Sequence, residues 1–143
     1  MAQRRPWGLA VAALAAVACS KDVTGPAQKL AGTYSYTATF GGSGGSCSVN
    51  EILTIKPQGA AFSGSYSGNI ICTDQSGSHM GQTSGSVMNG SVSGDSVYFD
   101  FDGSAWHNFG VVDGTGMRGT ANAQVIVNGA PNVLAGDFVC TKQ

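Results

Sequence analysis

Two runs of alternating apolar and polar residues meet at a glycine-first turn, and this feature constrains the fold most. The runs fill residues 46–73 and flank the dipeptide Gly59-Ala60. A two-residue loop with Gly first suits a type II′ turn, which matches the twist of paired strands. Folding the chain there pairs Leu53 with Tyr66 and collects the apolar side chains on one face. The pattern therefore predicts a β-hairpin of fixed register, because a slip by one residue would exchange the two faces.

The same register places two cysteines opposite each other. Cys47 faces Cys72, and both fall on the apolar face. Counting outward from the turn makes them a non-hydrogen-bonded pair, in which the Cα atoms approach most closely and a bridge is sterically feasible. We therefore predict a disulfide between Cys47 and Cys72. Cys140 is then the odd cysteine, either a free thiol or a competitor for Cys72.

Alternation of this kind recurs along the chain, and no window shows a helical period. A second Gly-first turn, Gly94-Asp95, pairs Met88 with Phe101 on an inward face. We expect about eight short antiparallel strands joined by hairpins, over residues 30–40, 47–57, 61–73, 83–92, 96–103, 105–112, 116–127 and 134–142. Three longer connections are predicted as loops, over residues 40–46, 74–84 and 128–132. Sequential pairing closes most simply as an up-and-down β-barrel without exposed sheet edges, and a β-sandwich is the alternative.

The N-terminus has the layout of an export signal. Arg4 and Arg5 precede an apolar segment over residues 7–17, which is too short to span a membrane. The segment ends in the letters AVAC at Cys19, which resemble the lipobox of bacterial lipoproteins. The resemblance implies that residues 1–18 are removed and that Cys19 becomes acylated. An ordinary signal peptide with an incidental cysteine is the alternative.

This resemblance also implies an address. Ser20 follows the cysteine, which in such lipoproteins of two-membrane bacteria implies anchoring to the outer membrane, facing the periplasm or the exterior. Residues 19–29 are then the lipidated cysteine and a polar tether, and residues 30–143 form the single barrel domain. Membrane lipid, reached through the acylated Cys19, is the first expected partner.

The predicted barrel resembles the lipocalin-type, or calycin, family. In that family a Gly-x-Trp near the start of the first strand packs beneath a basic residue from near the chain end. Gly32-Thr33-Tyr34 and Lys142 take these places, with Tyr instead of Trp. The resemblance covers about residues 30–142 and implies ligand binding inside the barrel.

Inward-facing residues supply the candidate ligand contacts. We expect five apolar side chains to line a cavity: Tyr66, Met88, Phe99, Phe101 and Trp106. Glu51 falls on the apolar face opposite Gly68, where an unpaired carboxylate is costly. It therefore needs a partner, and the open alternatives are a position at the barrel mouth, an ion pair with Lys or Arg, or a polar contact to an enclosed ligand.

Other function classes find little support in the sequence. The net charge is -1 and no basic cluster exists, so no nucleic-acid partner is expected. Residues 114–119 match the phosphate-binding pattern G-x-G-x-x-G, but they lie in a predicted hairpin rather than between a strand and a helix. His79 and His107 lack clustered ligands for a metal, and Asp100 and Asp102 alternate with phenylalanines, which predicts a solvated outer face. We expect no cofactor, no metal and no enzyme activity.

Two functions remain. The first is a membrane-anchored exported lipoprotein whose small β-barrel binds a small apolar ligand, with Glu51 as the polar contact. The alternative is a filled barrel that acts through its surface as a structural or inhibitor-type envelope lipoprotein, with an unknown protein partner.

Overall fold

The fold is a closed barrel of antiparallel strands. A computed structural model describes residues 25–102, 105–114, 116–127 and 129–143. In these ranges eight strands pair in sequential order and the last pairs with the first. The strands are β1 (Gly32–Gly42), β2 (Gly45–Gln58), β3 (Ala61–Asp74), β4 (Gly77–Ser93), β5 (Ser96–Phe101), β6 (Ala105–Asp113), β7 (Gly116–Val127) and β8 (Ala130–Lys142). The predicted up-and-down barrel is confirmed, and the sandwich alternative is excluded.

One end of the barrel is closed by a short helix. Residues Pro26–Leu30 form a 3₁₀ helix in which Ala27 and Leu30 are buried. The Ala27 N–H donates to the carbonyl of Gly59 at 3.1 Å, which ties the helix to the turn between β2 and β3. The last part of the predicted tether, residues 26–29, is therefore folded against the barrel, because Ala27 and the adjoining Leu30 cover the core. No helix in the ranges described above is long and apolar enough to cross a membrane.

The predicted leader, Cys19 and the start of the tether lie outside the described residues. The lipobox interpretation therefore stays a prediction.

The first hairpin has the predicted register. Leu53 pairs with Tyr66, and Cys47 pairs with Cys72. Gly59 has a φ of 69°, in the left-handed region that glycine adopts readily. The predicted disulfide between Cys47 and Cys72 is present, and Cys140 is a buried free thiol.

The three segments predicted as long loops are mostly strand. Residues 75–76 separate β3 from β4, and residues 43–44 separate β1 from β2. The strand β8 already begins at Ala130. These segments lie at the barrel rim, where both faces of a strand meet solvent and the residues on both faces are small or polar. Alternation is lost there although the backbone still pairs, so the loop prediction was wrong.

A bulge in β4 corrects the predicted position of Met88. The register between β4 and β5 shifts between Met88 and Ser91, and Asn89 has a φ of 54°. Val87 therefore pairs with Phe101 and is buried, whereas Met88 pairs with Asp100 and is 49% exposed. The inserted residue exchanges the faces on one side of the bulge, so the prediction that Met88 faces the interior is wrong.

The half of the barrel next to the 3₁₀ helix, which we call the closed half, is filled. The Phe99 ring lies 6.0 Å from that of Phe62 and 5.6 Å from that of Phe138. Near the same end the Lys142 Nζ lies 5.9 Å from the centroid of the buried Tyr34 ring, a cation–π distance. Tyr34 and Lys142, the two residues named in the family resemblance, are thus in contact. The opposite half, which we call the open half, contains a cavity.

Candidate ligand-binding cavity

A cavity of about 390 Å³ occupies the open half of the barrel. Apolar side chains form most of its inner wall: Phe40, Tyr66, Ile70, Trp106 and Leu134. Polar side chains are placed on one side of it: Gln82, Thr83, Asp102 and Gln124. A mostly apolar wall with a few polar groups, at this volume, is typical of sites for small molecules.

The cavity opens sideways through the barrel wall. The strand β5 pairs with β4 only from Val87 onward, so residues 77–86 of β4 have no partner strand on that side within the described part of the chain. Gln82 and Ser84 alternate with the inward residues, yet both line the cavity. The cavity therefore extends past the edge of β4. We call this opening, between residues 77–86 of β4 and the facing Asp102 and Gln124, the slit.

Asp102 closes one end of the slit. The Ser86 N–H donates to the Asp102 Oδ1 at 2.6 Å, and the Asp102 N–H donates to the Ser86 carbonyl at 3.1 Å. The Tyr66 hydroxyl donates to the Asp102 carbonyl at 2.9 Å. Asp102 is thus half-buried beside the cavity rather than on a solvated outer face, because β5 ends at Phe101 and the chain turns in toward β4.

Glu51 is buried one hydrogen bond away from the cavity. It is 3% exposed, and its Oε1 accepts a hydrogen bond of 2.6 Å from the hydroxyl of Thr83, which lines the cavity. Its Oε2 is buried without a partner among the described residues. Burial raises the pKa of the Glu51 carboxyl, and the Thr83 hydrogen bond opposes that rise. The sequence left three environments open for the Glu51 carboxylate. One of them, an ion pair with Lys or Arg, is absent within the part of the chain described.

Trp106 brings a second unpaired polar atom to the same place. Its ring lines the cavity and packs edge-on against Phe40 and Phe101, each with a centroid distance of 5.0 Å. Its Nε1 is buried and makes no hydrogen bond of regular geometry among the residues described. Burial raises the pKa of the Tyr36 hydroxyl, and the Trp106 N–H lies close enough to that group to oppose the rise. An unpaired buried donor costs about 1–3 kcal/mol.

Only some of the predicted ligand contacts lie at the cavity. Tyr66 and Trp106 line the cavity, and Glu51 reaches it through Thr83. Phe101 is buried behind them, stacked on Tyr66 at 4.3 Å, whereas Phe99 belongs to the filled closed half. Met88 is outside the barrel. Neither phenylalanine is a wall residue, because the barrel interior is filled as far as Phe101.

Sequence reasoning missed several wall residues, chiefly Thr83, Gln82 and Gln124. Thr83 pairs with Gly68, whose partner on the other side is Glu51. Extending the hairpin pattern past the turn at residues 75–76 would have brought Thr83 beside Glu51. Gln82 and Gln124 carried no such signal, since their alternation predicts an outward position.

The Tyr36 and Asn108 side chains form a second buried polar group, deeper in the barrel, and both are hydrogen-bonded. The Tyr36 hydroxyl donates to the Asn108 Oδ1 at 2.8 Å, and the Asn108 side-chain amide donates to the Phe99 carbonyl at 3.3 Å. Cys140, which pairs with Tyr36, is also buried, and desolvation raises the pKa of its thiol. A buried thiol with a raised pKa is a poor nucleophile, so the role of Cys140 is structural.

His79 and His107 do not belong to a metal site among the residues described. In the part of the chain that the structure describes, no three His, Cys, Asp or Glu side chains lie close enough to hold a metal ion. His107 instead contacts Asp100 on the outer face at 2.7 Å, and His79 lies near Asp74 at 3.7 Å.

Comparison with known proteins gives no relative for this arrangement. No protein-family model, no curated protein and no solved structure matches the chain.

Proposed function

We propose that this protein is an exported, lipid-anchored barrel that binds a small, uncharged and largely apolar ligand in the open half. The observation that carries the proposal is the cavity of about 390 Å³, whose wall is mostly apolar and includes the Trp106 ring. Apolar wall area supplies the affinity, and a few placed polar groups orient the ligand. The alternative of a filled barrel describes only the closed half.

Charges at the cavity define the ligand further. Asp102 belongs to the lining and Glu51 lies behind Thr83, while none of the lining residues is Lys or Arg. A ligand carboxylate, such as that of a fatty acid, would meet like charge without a counterion. The site therefore favours a neutral ligand.

The proposed anchor fixes how the barrel faces the membrane. The described chain begins at Gly25, next to the turn at Gly59 in the closed end. The segment between Cys19 and Gly25 spans at most about 20 Å when fully extended. An acylated Cys19 would hold the closed end toward the bilayer and the slit away from it. The ligand would then exchange with the aqueous compartment rather than with the membrane.

A binding experiment tests the cavity. The lipid-free domain, beginning at Ser20 and exported to an oxidising compartment, is titrated with N-phenyl-1-naphthylamine, an uncharged apolar dye. We expect one dye per protein, and we expect Ala123→Phe to abolish binding because Ala123 lines the cavity. Val133→Phe, at an exposed position on the neighbouring strand, is the matched control. Absence of dye binding by the folded protein would contradict the proposal.

The anchor is tested separately. The full chain is expected to fractionate with membranes and to carry acyl chains on Cys19 by mass spectrometry. The variant Cys19→Ser is expected to lose both properties. Membrane association that persists in this variant would contradict lipid anchoring without affecting the cavity.

A further inference from the structure

We propose that the group entering the cavity belongs to an extended peptide segment of another protein, which adds an antiparallel strand to the free edge of β4. The inference rests on the proposed function and specifies its ligand: the small, uncharged apolar group in the cavity would be a side chain of a larger partner. The bound peptide would continue the direction of β5 beyond Phe101 and place alternate apolar side chains through the slit.

Backbone groups of β4 point into the slit in a regular series. Both the N–H and the carbonyl of Ser86 face the slit, since both bond to Asp102. In an antiparallel strand the backbone groups of every second residue face the same neighbour, and the pairing of β4 with β3 is unbroken from Gly77 to Val87. The N–H and carbonyl groups of Ser78, Met80, Gln82 and Ser84 therefore face the slit as well.

Asp102 shows what this edge accepts. It exchanges a backbone hydrogen bond and a side-chain hydrogen bond with Ser86, as the first residue of an added strand would. Beyond Ser86 no described residue pairs with this edge, and residues 77–86 contain no Lys and no Pro, the residues that commonly block exposed edges. Main-chain pairing to such an edge is an established mode of peptide recognition, with pockets that read alternate side chains.

Small inward residues of β4 leave room for the incoming side chains. The inward positions along this edge include Gly81 and Thr83, whereas the space beside Gly85 is taken by Asp102 and Tyr66. A Cβ added at Gly81 would meet only the Ile70 Cγ2, at 3.5 Å. A second copy of β4 would bring these same small residues and would leave the cavity of about 390 Å³ empty. The occupant that fills the cavity is therefore a different strand with larger apolar residues at alternate positions.

The experiment uses the lipid-free mature domain and a fluorescein-labelled peptide mixture. In these peptides Thr alternates with positions that hold an equimolar mixture of Val, Leu, Phe, Tyr and Trp. In the antiparallel pairing, residues with outward side chains face β4, so the Thr amides donate to the edge. We expect N-methylation of the Thr amides to weaken binding by about tenfold or more, and N-methylation of the apolar residues to leave it nearly unchanged.

Met80 supplies the matched protein variants. Its side chain is 75% exposed and does not line the cavity, whereas its N–H faces the slit. Proline is tolerated on a strand whose N–H faces solvent, so Met80→Pro removes an edge donor without breaking the pairing with β3. We expect Met80→Pro to bind the peptides about tenfold more weakly, and Met80→Ala to bind them as the parent does, with equal melting temperatures and equal dye binding.

Three results would overturn the inference. If the dye binds but the peptides do not, or if both methylated sets bind equally, the ligand is not a paired strand and the proposed cavity function stands. If neither dye nor peptide binds, both proposals fail. If the peptide-free parent is a dimer that Met80→Pro converts to a monomer, the edge pairs with a second copy of this chain.

Discussion

The closed and open halves of the barrel are built from the same alternation but use it differently. In the closed half the Phe99 ring packs against the rings of Phe62 and Phe138, and the Tyr34 hydroxyl donates to the Leu30 carbonyl at 3.1 Å. In the open half the wall surrounds a cavity, and the buried Trp106 N–H makes no regular hydrogen bond to the residues that the structure describes. One sheet thus encloses packed rings at one end and a cavity at the other.

The largest expected effect contrasts one phenylalanine from each half. Phe99→Ala should lower the free energy of unfolding by about 3–5 kcal/mol, since packed aromatic rings surround that side chain. Phe40→Ala should cost less than about 3 kcal/mol, because Phe40 faces the cavity on one side and lacks contacts there. Urea denaturation of both variants measures the difference. Equal losses would show that the open half is packed as tightly as the closed half.

The disulfide stabilises the rim of the open half. Cys47 and Cys72 enclose a loop with a sequence separation of 25. Replacing both with Ala should lower the free energy of unfolding by about 3 kcal/mol in the chain-entropy model. Thermal melts of the oxidised parent, the reduced parent and the double variant check this. The reduced parent should melt near the variant, and a variant as stable as the oxidised parent would contradict the assignment.

Glu51 lies at the boundary between the halves and should make stability depend on pH. Burial raises the pKa of its carboxyl above 4.5, the ordinary value for a glutamate. Above that pH the Glu51 carboxyl loses its proton in the unfolded chain but keeps it in the folded state. Because the folded state then binds more protons, the free energy of unfolding falls as pH rises toward the folded pKa. Its contribution is fully present below the unfolded pKa.

Glu51→Gln tests this sign. The variant should lose that downward slope, and at neutral pH it should be more stable than the parent. Urea denaturation between about pH 5 and pH 8 measures both properties. Asp137→Asn, at an exposed position, is the control and should keep the parent's slope. A parent and a Glu51→Gln variant with the same slope would contradict the prediction.

The smallest expected effect lies at the closed end. Lys142 is exposed and its Nζ lies 5.9 Å from the centroid of the Tyr34 ring. Lys142→Ala should lower the free energy of unfolding by about 0.5–1 kcal/mol, and dye binding in the open half should not change. Lys142→Arg, which keeps a cation over the ring, should restore most of the loss. A change in dye affinity would show that the two halves are coupled.

Much of the fold could be predicted from the sequence, because a period of two is a local property. It placed Leu53 opposite Tyr66 and Cys47 opposite Cys72, and it put Glu51 inside. It failed at Met88, where a bulge at Asn89 shifts the register. The position of a bulge depends on contacts with the neighbouring strand. The alternation of residues within one hairpin carries no information about those contacts.

The candidate site could be predicted only in part. Tyr66 and Trp106 were found because wall residues must first face inward. Phe99 satisfied the same rule and yet fills the closed half, since its height along the barrel depends on the stagger of all eight strands. Gln82 and Gln124 face outward by alternation and reach the cavity only because β5 ends early.

By itself the sequence determined the strands, most of their registers, the disulfide and the side of the sheet that each residue occupies, since these follow from alternation and turn chemistry within each hairpin. Only the tertiary structure decided that the barrel is filled at one end and hollow at the other, and that its wall opens beside β4. Empty volume is set by side chains that meet across the barrel from distant strands, and an unpaired edge is set by the unequal lengths of neighbouring strands.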